Sequence, residues 1–138
     1  MSFLLDTNVV SEWVKPQANA GLIAWLDGVD EDRVFLSVVT LTELRYGIER
    51  LAAGKRRRRL EHWLTRELPV RFEGRVLMVD ATVAHTCGEL MARREAAGRP
   101  LHTMDAFLAA TAAVHGLTVV TRNDSDFQGT VPSVNPWN

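Results

Sequence analysis

Phe3-Leu4-Leu5-Asp6-Thr7-Asn8-Val9-Val10 begins as an apolar run and meets a carboxylate at Asp6. The run is too short to span a membrane and lacks the alternation of a half-buried strand. It therefore reads as a strand buried on both faces. Asp6 then lies at the carboxyl end of that strand. In open α/β sheets, ligands bind in the crevice beyond those ends. Aspartate is also a favoured helix N-cap, which gives Asp6 a purely structural reading ahead of residues 9–14. What else reaches the same sheet edge separates the two readings.

Composition sets the frame. The chain has 138 residues, 46% hydrophobic and 24% charged, which suits a single domain over residues 1–138 with its own core. A net charge of −1 supplies no global basic field, so any nucleic-acid binding must rest on a local patch. The single cysteine, Cys87, rules out an internal disulfide and reads as a small packed residue. No apolar run approaches the roughly 20 residues of a membrane span. No basic region leads into an apolar core at the start of the chain, so the expected address is the cytoplasm, away from membranes.

Along the chain, residues 8–14 suggest a short helix closed by Lys15-Pro16. Asn19 opens a second helix that ends at Gly28. Val34 to Val38 is a second buried strand. Thr40 and Glu43 have the spacing of a capping box, predicting a helix over 40–53. After Gly54 comes Lys55-Arg56-Arg57-Arg58-Arg59, then Leu60, Trp63, Leu64 and Leu68 at helical spacing, closed by Pro69. Arg75 to Val79 is a weaker strand. Asp80 caps a helix from Thr82 to about Ala97. An alanine-dense helix spans 103–115 and stops at Gly116. Leu117 to Thr121 is a β-branched strand, and Val131 to Trp137 adds a short edge strand. Strands alternating with helices imply an α/β sandwich of three layers, with a mostly parallel sheet of four to five strands flanked by helices.

Acids recur at the strand-to-helix junctions: Asp6, Glu43, Asp105, and the pair Asp124 and Asp126. Right-handed crossovers bring helix starts to the edge where strands end, so these carboxylates are expected to share one crevice. Unpaired, they would repel and hold their protons more tightly. No lysine or arginine adjoins Asp6, Glu43 or Asp105 in sequence. A divalent cation is the economical partner, and all-oxygen ligation with retained waters suits Mg²⁺ or Mn²⁺. Thr7, Asn8, Thr121 and Asn123 are placed to orient the acids from behind. The basic run Lys55, Arg56, Arg57, Arg58 and Arg59 reads either as a solvated helix start or as a phosphate-backbone contact.

The set resembles the PIN-domain nucleases, and within them the VapC and FitB branch of toxin–antitoxin ribonucleases. The residues that carry the likeness are 5–12 (LDTNVVSE), 37–47 (SVVTLTELRYG), 105–112 (DAFLAATA), 120–123 (VTRN) and 134–137 (VNPW). Together they cover nearly the whole chain. The resemblance implies a metal-dependent ribonuclease whose metal-binding acids are Asp6, Glu43 and Asp105. Members differ at the fourth acid: it falls at Asn123 in some and at Asp126 in others. Asp126 ranks first, Asn123 is a neutral ligand or water anchor, and Asp124 is a further candidate. The resemblance also implies an RNA substrate, a homodimer and a cognate VapB- or FitA-like antitoxin.

Rival readings lack their signatures. A haloacid-dehalogenase-like phosphatase needs an acid two residues after the first aspartate, where this chain has Asn8. A phosphate-binding loop fails because Gly54-Lys55 is followed by Arg56, without the upstream glycine. Asp124 to Gly129 starts like a calcium loop, but its twelfth position is Asn135. His62, His85, His102 and His115 share no ligand spacing. A non-catalytic binding module on the same fold remains the alternative from a different class.

Overall fold

A computed structural model describes every residue from Met1 to Asn138. Its centre is β1 (Phe3–Leu5). On one side lie β2 (Val34–Ser37) and β3 (Val76–Leu77), and on the other β4 (Thr118–Val120) and β5 (Ser133–Val134). The order is β3-β2-β1-β4-β5, and all pairings are parallel. The continuous apolar run at β1 is explained by what it separates. Leu4 packs into one core with Val83, Cys87 and Ala109, while Leu5 packs into a second with Val9, Val10 and Phe72. Successive strand side chains point to opposite faces, so a central strand covered twice needs apolar residues at both.

The helices form the outer layers. On the Leu5 face lie α1 (Thr7–Trp13), α2 (Ala20–Gly28), α3 (Val38–Glu49) and α4 (Lys55–His62). A short α5 (Leu68–Arg71) completes that layer. On the Leu4 face lie α6 (Ala81–Ala96) and α7 (Thr103–His115). Ala106, Ala109, Ala110 and Ala112 of α7 are fully buried, and their small side chains let helix and sheet approach closely. Gly116 follows with φ of 66°, the left-handed turn that ends α7 and admits the chain to β4.

Two local expectations need correction. Thr40 is not a cap. The N-cap of α3 is Ser37, whose Oγ accepts from the Val39 N–H at 3.0 Å. Strand β2 passes into α3 with no intervening loop, and the helix ends at Glu49, before the expected 53. Pro69 likewise does not end its helical stretch. A π-helical segment, Trp63–Glu67, precedes it, and Leu68 N–H bonds back to Trp63 C=O. The wider turn leaves room for the proline ring, and a proline early in α5 forfeits no required donor.

The order of strands explains where a ligand can enter. From β1 the chain steps outward through β2 to β3, then returns to lay β4 on the other side of β1. Helices therefore leave β1 and β4 on opposite faces, and a crevice opens between their carboxyl ends. Asp6 follows β1 and Thr121 follows β4.

Candidate active site

Asp6 sits at that crevice, 6% exposed. Its N–H continues the sheet by donating to Val120 C=O at 2.9 Å. Its Oδ1 caps α1, accepting from Thr7 N–H at 2.7 Å. Its Oδ2 accepts from the Thr121 hydroxyl at 2.8 Å and from Asn8 Nδ2 at 3.3 Å. The capping reading and the site reading of Asp6 thus hold together, one oxygen to each. Burial pushes its carboxyl up to about 6. Bonds from Thr121 and Thr7 oppose the rise, and the charges of Asp105 and Glu43 add to it.

Glu43 projects from the first half of α3. Its Oε1 accepts from Thr7 Oγ1 at 2.5 Å, and Oε2 has no protein partner. Thr40 Oγ1 lies 3.3 Å from Thr7 Oγ1, so with the Thr7 proton given to Glu43 the Thr40 hydroxyl is placed to donate to Thr7 and hold it in that orientation. Asp105 stands in the first turn of α7 and accepts no side-chain hydrogen bond from the protein. Burial raises its proton affinity first, then the charge of Asp126; His102 opposes the rise, and Glu43 reinforces it.

Asp6, Glu43 and Asp105 line one polar cavity of about 420 Å³, with Thr7, Asn8 and Asn123. Thr121 lies behind it, fully buried, bonded to Asp6 and accepting from Asn123 N–H at 3.0 Å. Asp126 is exposed on the turn Asp124–Phe127 and reaches the site through its charge on Asp105. Asp124, half-buried on the same turn, does not line the cavity. Sequence reasoning missed Lys15, Arg122 and Trp137, which form part of the rim. Arg122 had a usable signal, because it lies two residues past the end of β4, at the same sheet edge as Asp6.

The basic run divides. Arg57 donates to Glu49 at 2.6 Å and to Leu51 C=O at 3.2 Å, tying α4 to the end of α3. Arg56 and Arg59 line a neighbouring groove of about 230 Å³ with Trp63 and Ile48, and Glu43 belongs to this groove as well as to the acidic cavity.

No three carboxylate, histidine or cysteine side chains stand close enough to enclose an ion by themselves. The acids surround a space and do not grip a point. That donor set fits a small hard cation that keeps several waters and takes one or two carboxylates directly. Burial disfavours the bare charges of Asp6 and Asp105, and neighbouring carboxylates add to it, Asp105 and Glu43 at Asp6 and Asp126 and Glu43 at Asp105.

A doubly covered parallel sheet with acids gathered at its switch point defines a class of fold, and the family follows from the whole chain. Residues 3–130 match the family model described as the PIN domain, and the chain belongs to that family. It is 39% identical over 135 residues to "Toxin FitB" of Neisseria gonorrhoeae, covering 97% of each chain. It is 36% identical over 135 residues to "VapC ribonuclease Y4jK" of Sinorhizobium fredii, covering 97% of this chain and 96% of that protein. The crystal structure of FitAcB from Neisseria gonorrhoeae superposes with a TM-score of 0.92 at 38% identity, covering 99% of both chains.

Proposed function

We propose that this protein is a metal-dependent endoribonuclease, the toxin of a toxin–antitoxin module. It hydrolyses RNA phosphodiester bonds with Mg²⁺ or Mn²⁺. The observation that carries the reading is the cavity shared by Asp6, Glu43 and Asp105 at the switch point of the sheet. Relatives named as a toxin and as a ribonuclease support it. A divalent ion held there would neutralise charge on the phosphate oxygens and make an attacking water more acidic. Asp6 and Asp105 would hold the ion. Glu43 Oε1 is fixed by Thr7, which leaves Oε2 free to take the proton of the attacking water. Asn8 and Thr121 keep Asp6 from rotating, and Asn123 Nδ2 is free to anchor a water or a phosphate oxygen.

The same reading brings partners. A toxic nuclease needs an inhibitor, and a buried acidic cavity suits a guanidinium as well as a metal ion. We therefore expect a cognate VapB- or FitA-like antitoxin, a homodimer and a cytoplasmic setting. No helix is long and apolar enough to cross a membrane. The deciding experiment compares wild type with Asp105→Asn on a mixed RNA substrate, with Mg²⁺ or Mn²⁺ added and then chelated. The reading expects cleavage only by wild type with the ion present, while the variant keeps its fold and antitoxin binding. Cleavage that survives chelation or the substitution would overturn it, as would no cleavage at all by wild type.

A further inference from the structure

The backbone of Arg122 is fixed by two hydrogen bonds and its guanidinium by an aromatic ring, yet the guanidinium forms no ion pair. Its backbone N–H donates to Asn8 Oδ1 at 3.3 Å, and its C=O accepts from Asn135 Nδ2 at 3.1 Å. Its guanidinium lies over the Trp137 ring, 5.7 Å from the centroid. Yet no carboxylate stands within ion-pair distance of it, although it borders an acidic cavity. Arg122 is not among the charges that move Asp6 or Asp105. It does act on Glu12, but that carboxylate is engaged by Lys15 and by the Asn19 N–H, each at 2.9 Å.

Trp137 is itself locked in place. Its N–H donates to Asn135 Oδ1 at 3.0 Å. The next residue, Asn138, exchanges bonds with α2: its Oδ1 accepts from Gly21 N–H at 3.2 Å, and its N–H donates to Asn19 Oδ1 at 3.3 Å. The clasp closes tightly. A Cβ on Gly21 would meet Pro136 O at 2.6 Å and Asn138 N at 2.9 Å. Any side chain at position 21 would push segment 135–138 off α2. A guanidinium stacked on a fixed ring, whose one nearby carboxylate, Glu12, is already engaged by Lys15 and Asn19, is arranged to receive an anion from outside.

We propose that Arg122 binds a phosphate of the RNA chain at the rim of the acidic cavity, and that Trp137, clasped to α2 through Gly21 and Asn138, is the positioning residue that aims it. The proposal rests on the nuclease reading and adds a substrate contact to it. Carboxylates on the floor repel an incoming phosphodiester, and a fixed guanidinium on the rim offsets that repulsion and sets the strand's register. The planar fork matches two phosphate oxygens in a way lysine cannot.

The test measures RNA binding, not cleavage, in an Asp105→Asn background with divalent ions chelated. The probe is a labelled random-sequence single-stranded RNA, titrated across a salt series. Arg122→Gln is expected to weaken binding about 10- to 150-fold, the value of one charge-assisted contact. It should also lower the slope of log K against log salt by about 0.7, one single-strand phosphate. Trp137→Leu and Gly21→Ala keep the charge but lose its aim, so each should weaken binding about two- to fivefold. Combined with Arg122→Gln, neither should weaken it further. Arg33→Gln, at the opposite end of β2, removes the same charge and should change nothing. Arg122→Gln binding like its parent overturns the proposal while leaving the nuclease reading intact. Further loss from Trp137→Leu on top of Arg122→Gln overturns the positioning role. A parent that binds no RNA overturns both readings.

Discussion

Replacing Asp6 with asparagine should stabilise the metal-free protein above neutral pH and destabilise it in acid. The folded carboxyl titrates at about 6 against an ordinary value of 3.8. A gap of about two pH units corresponds to ~3 kcal/mol of difference between the protonation states. The sign follows from linkage. Between those two values the folded protein retains a proton that the unfolded chain has released, so stability falls as pH rises through that window. Above about pH 6 the whole ~3 kcal/mol is lost, and well below 3.8 none of it is. Asparagine carries no charge to bury, and its Oδ1 still caps α1. It loses the acceptor for the Thr121 hydroxyl, at ~1 kcal/mol. The net expectation is a variant more stable by ~2 kcal/mol near pH 8 and less stable near pH 4, with the curves crossing between. Urea unfolding followed by tryptophan fluorescence, in chelator across this range, measures it. A stability difference that stays flat with pH would refute the reasoning, because it would mean that Asp6 is not held against its charge.

Divalent ion should reverse that penalty. At a Mg²⁺ or Mn²⁺ concentration about 100 times its dissociation constant, wild type should gain ~2.7 kcal/mol near pH 8. The gain should be small near pH 5, where Asp6 holds its proton, and small at any pH in Asp6→Asn; thermal unfolding with and without the ion checks both. Thr7→Val removes the hydroxyl that fixes Glu43 Oε1 and should lower single-turnover cleavage about 10- to 100-fold, with the RNA dissociation constant little changed. Neutralising Arg56 and Arg59 together should lower the salt slope of RNA binding by about 1.4, two single-strand phosphates, whereas Arg57→Gln should leave it unchanged because Glu49 already engages that side chain.

Much of the fold was legible because its signals are local. The unbroken apolar run of β1, the caps Asn19 and Asp80, and Gly116 after α7 each dictate their own neighbourhood, and the structure places them as read. The failures occur where a local rule met a tertiary one. Thr40 has the spacing of a cap, but β2 runs directly into α3, so Ser37 caps and Thr40 is buried beside Thr7. Pro69 has the character of a terminator, but the π segment before it relieves the clash. The acidic cavity was legible in part. Asp6, Glu43 and Asp105 follow the edge rule for parallel sheets, and all three line the cavity. Its rim was less legible: Arg122 follows the same strand-end rule as Asp6, but Lys15 and Trp137 arrive from separate loops whose packing no periodicity encodes. Among the basic residues, nothing in five identical-looking positions marked Arg57 as engaged and Arg56 and Arg59 as facing the groove.

The central claim is that Asp6, Glu43 and Asp105 serve one cation. Crystals grown in Mn²⁺, measured for its anomalous scattering, test it most directly. The account predicts a single strong peak, or a close pair, in the cavity between β1 and β4, contacting Asp6 and Asp105 and facing Glu43. A peak bound elsewhere, or an empty cavity at saturating Mn²⁺, would contradict it.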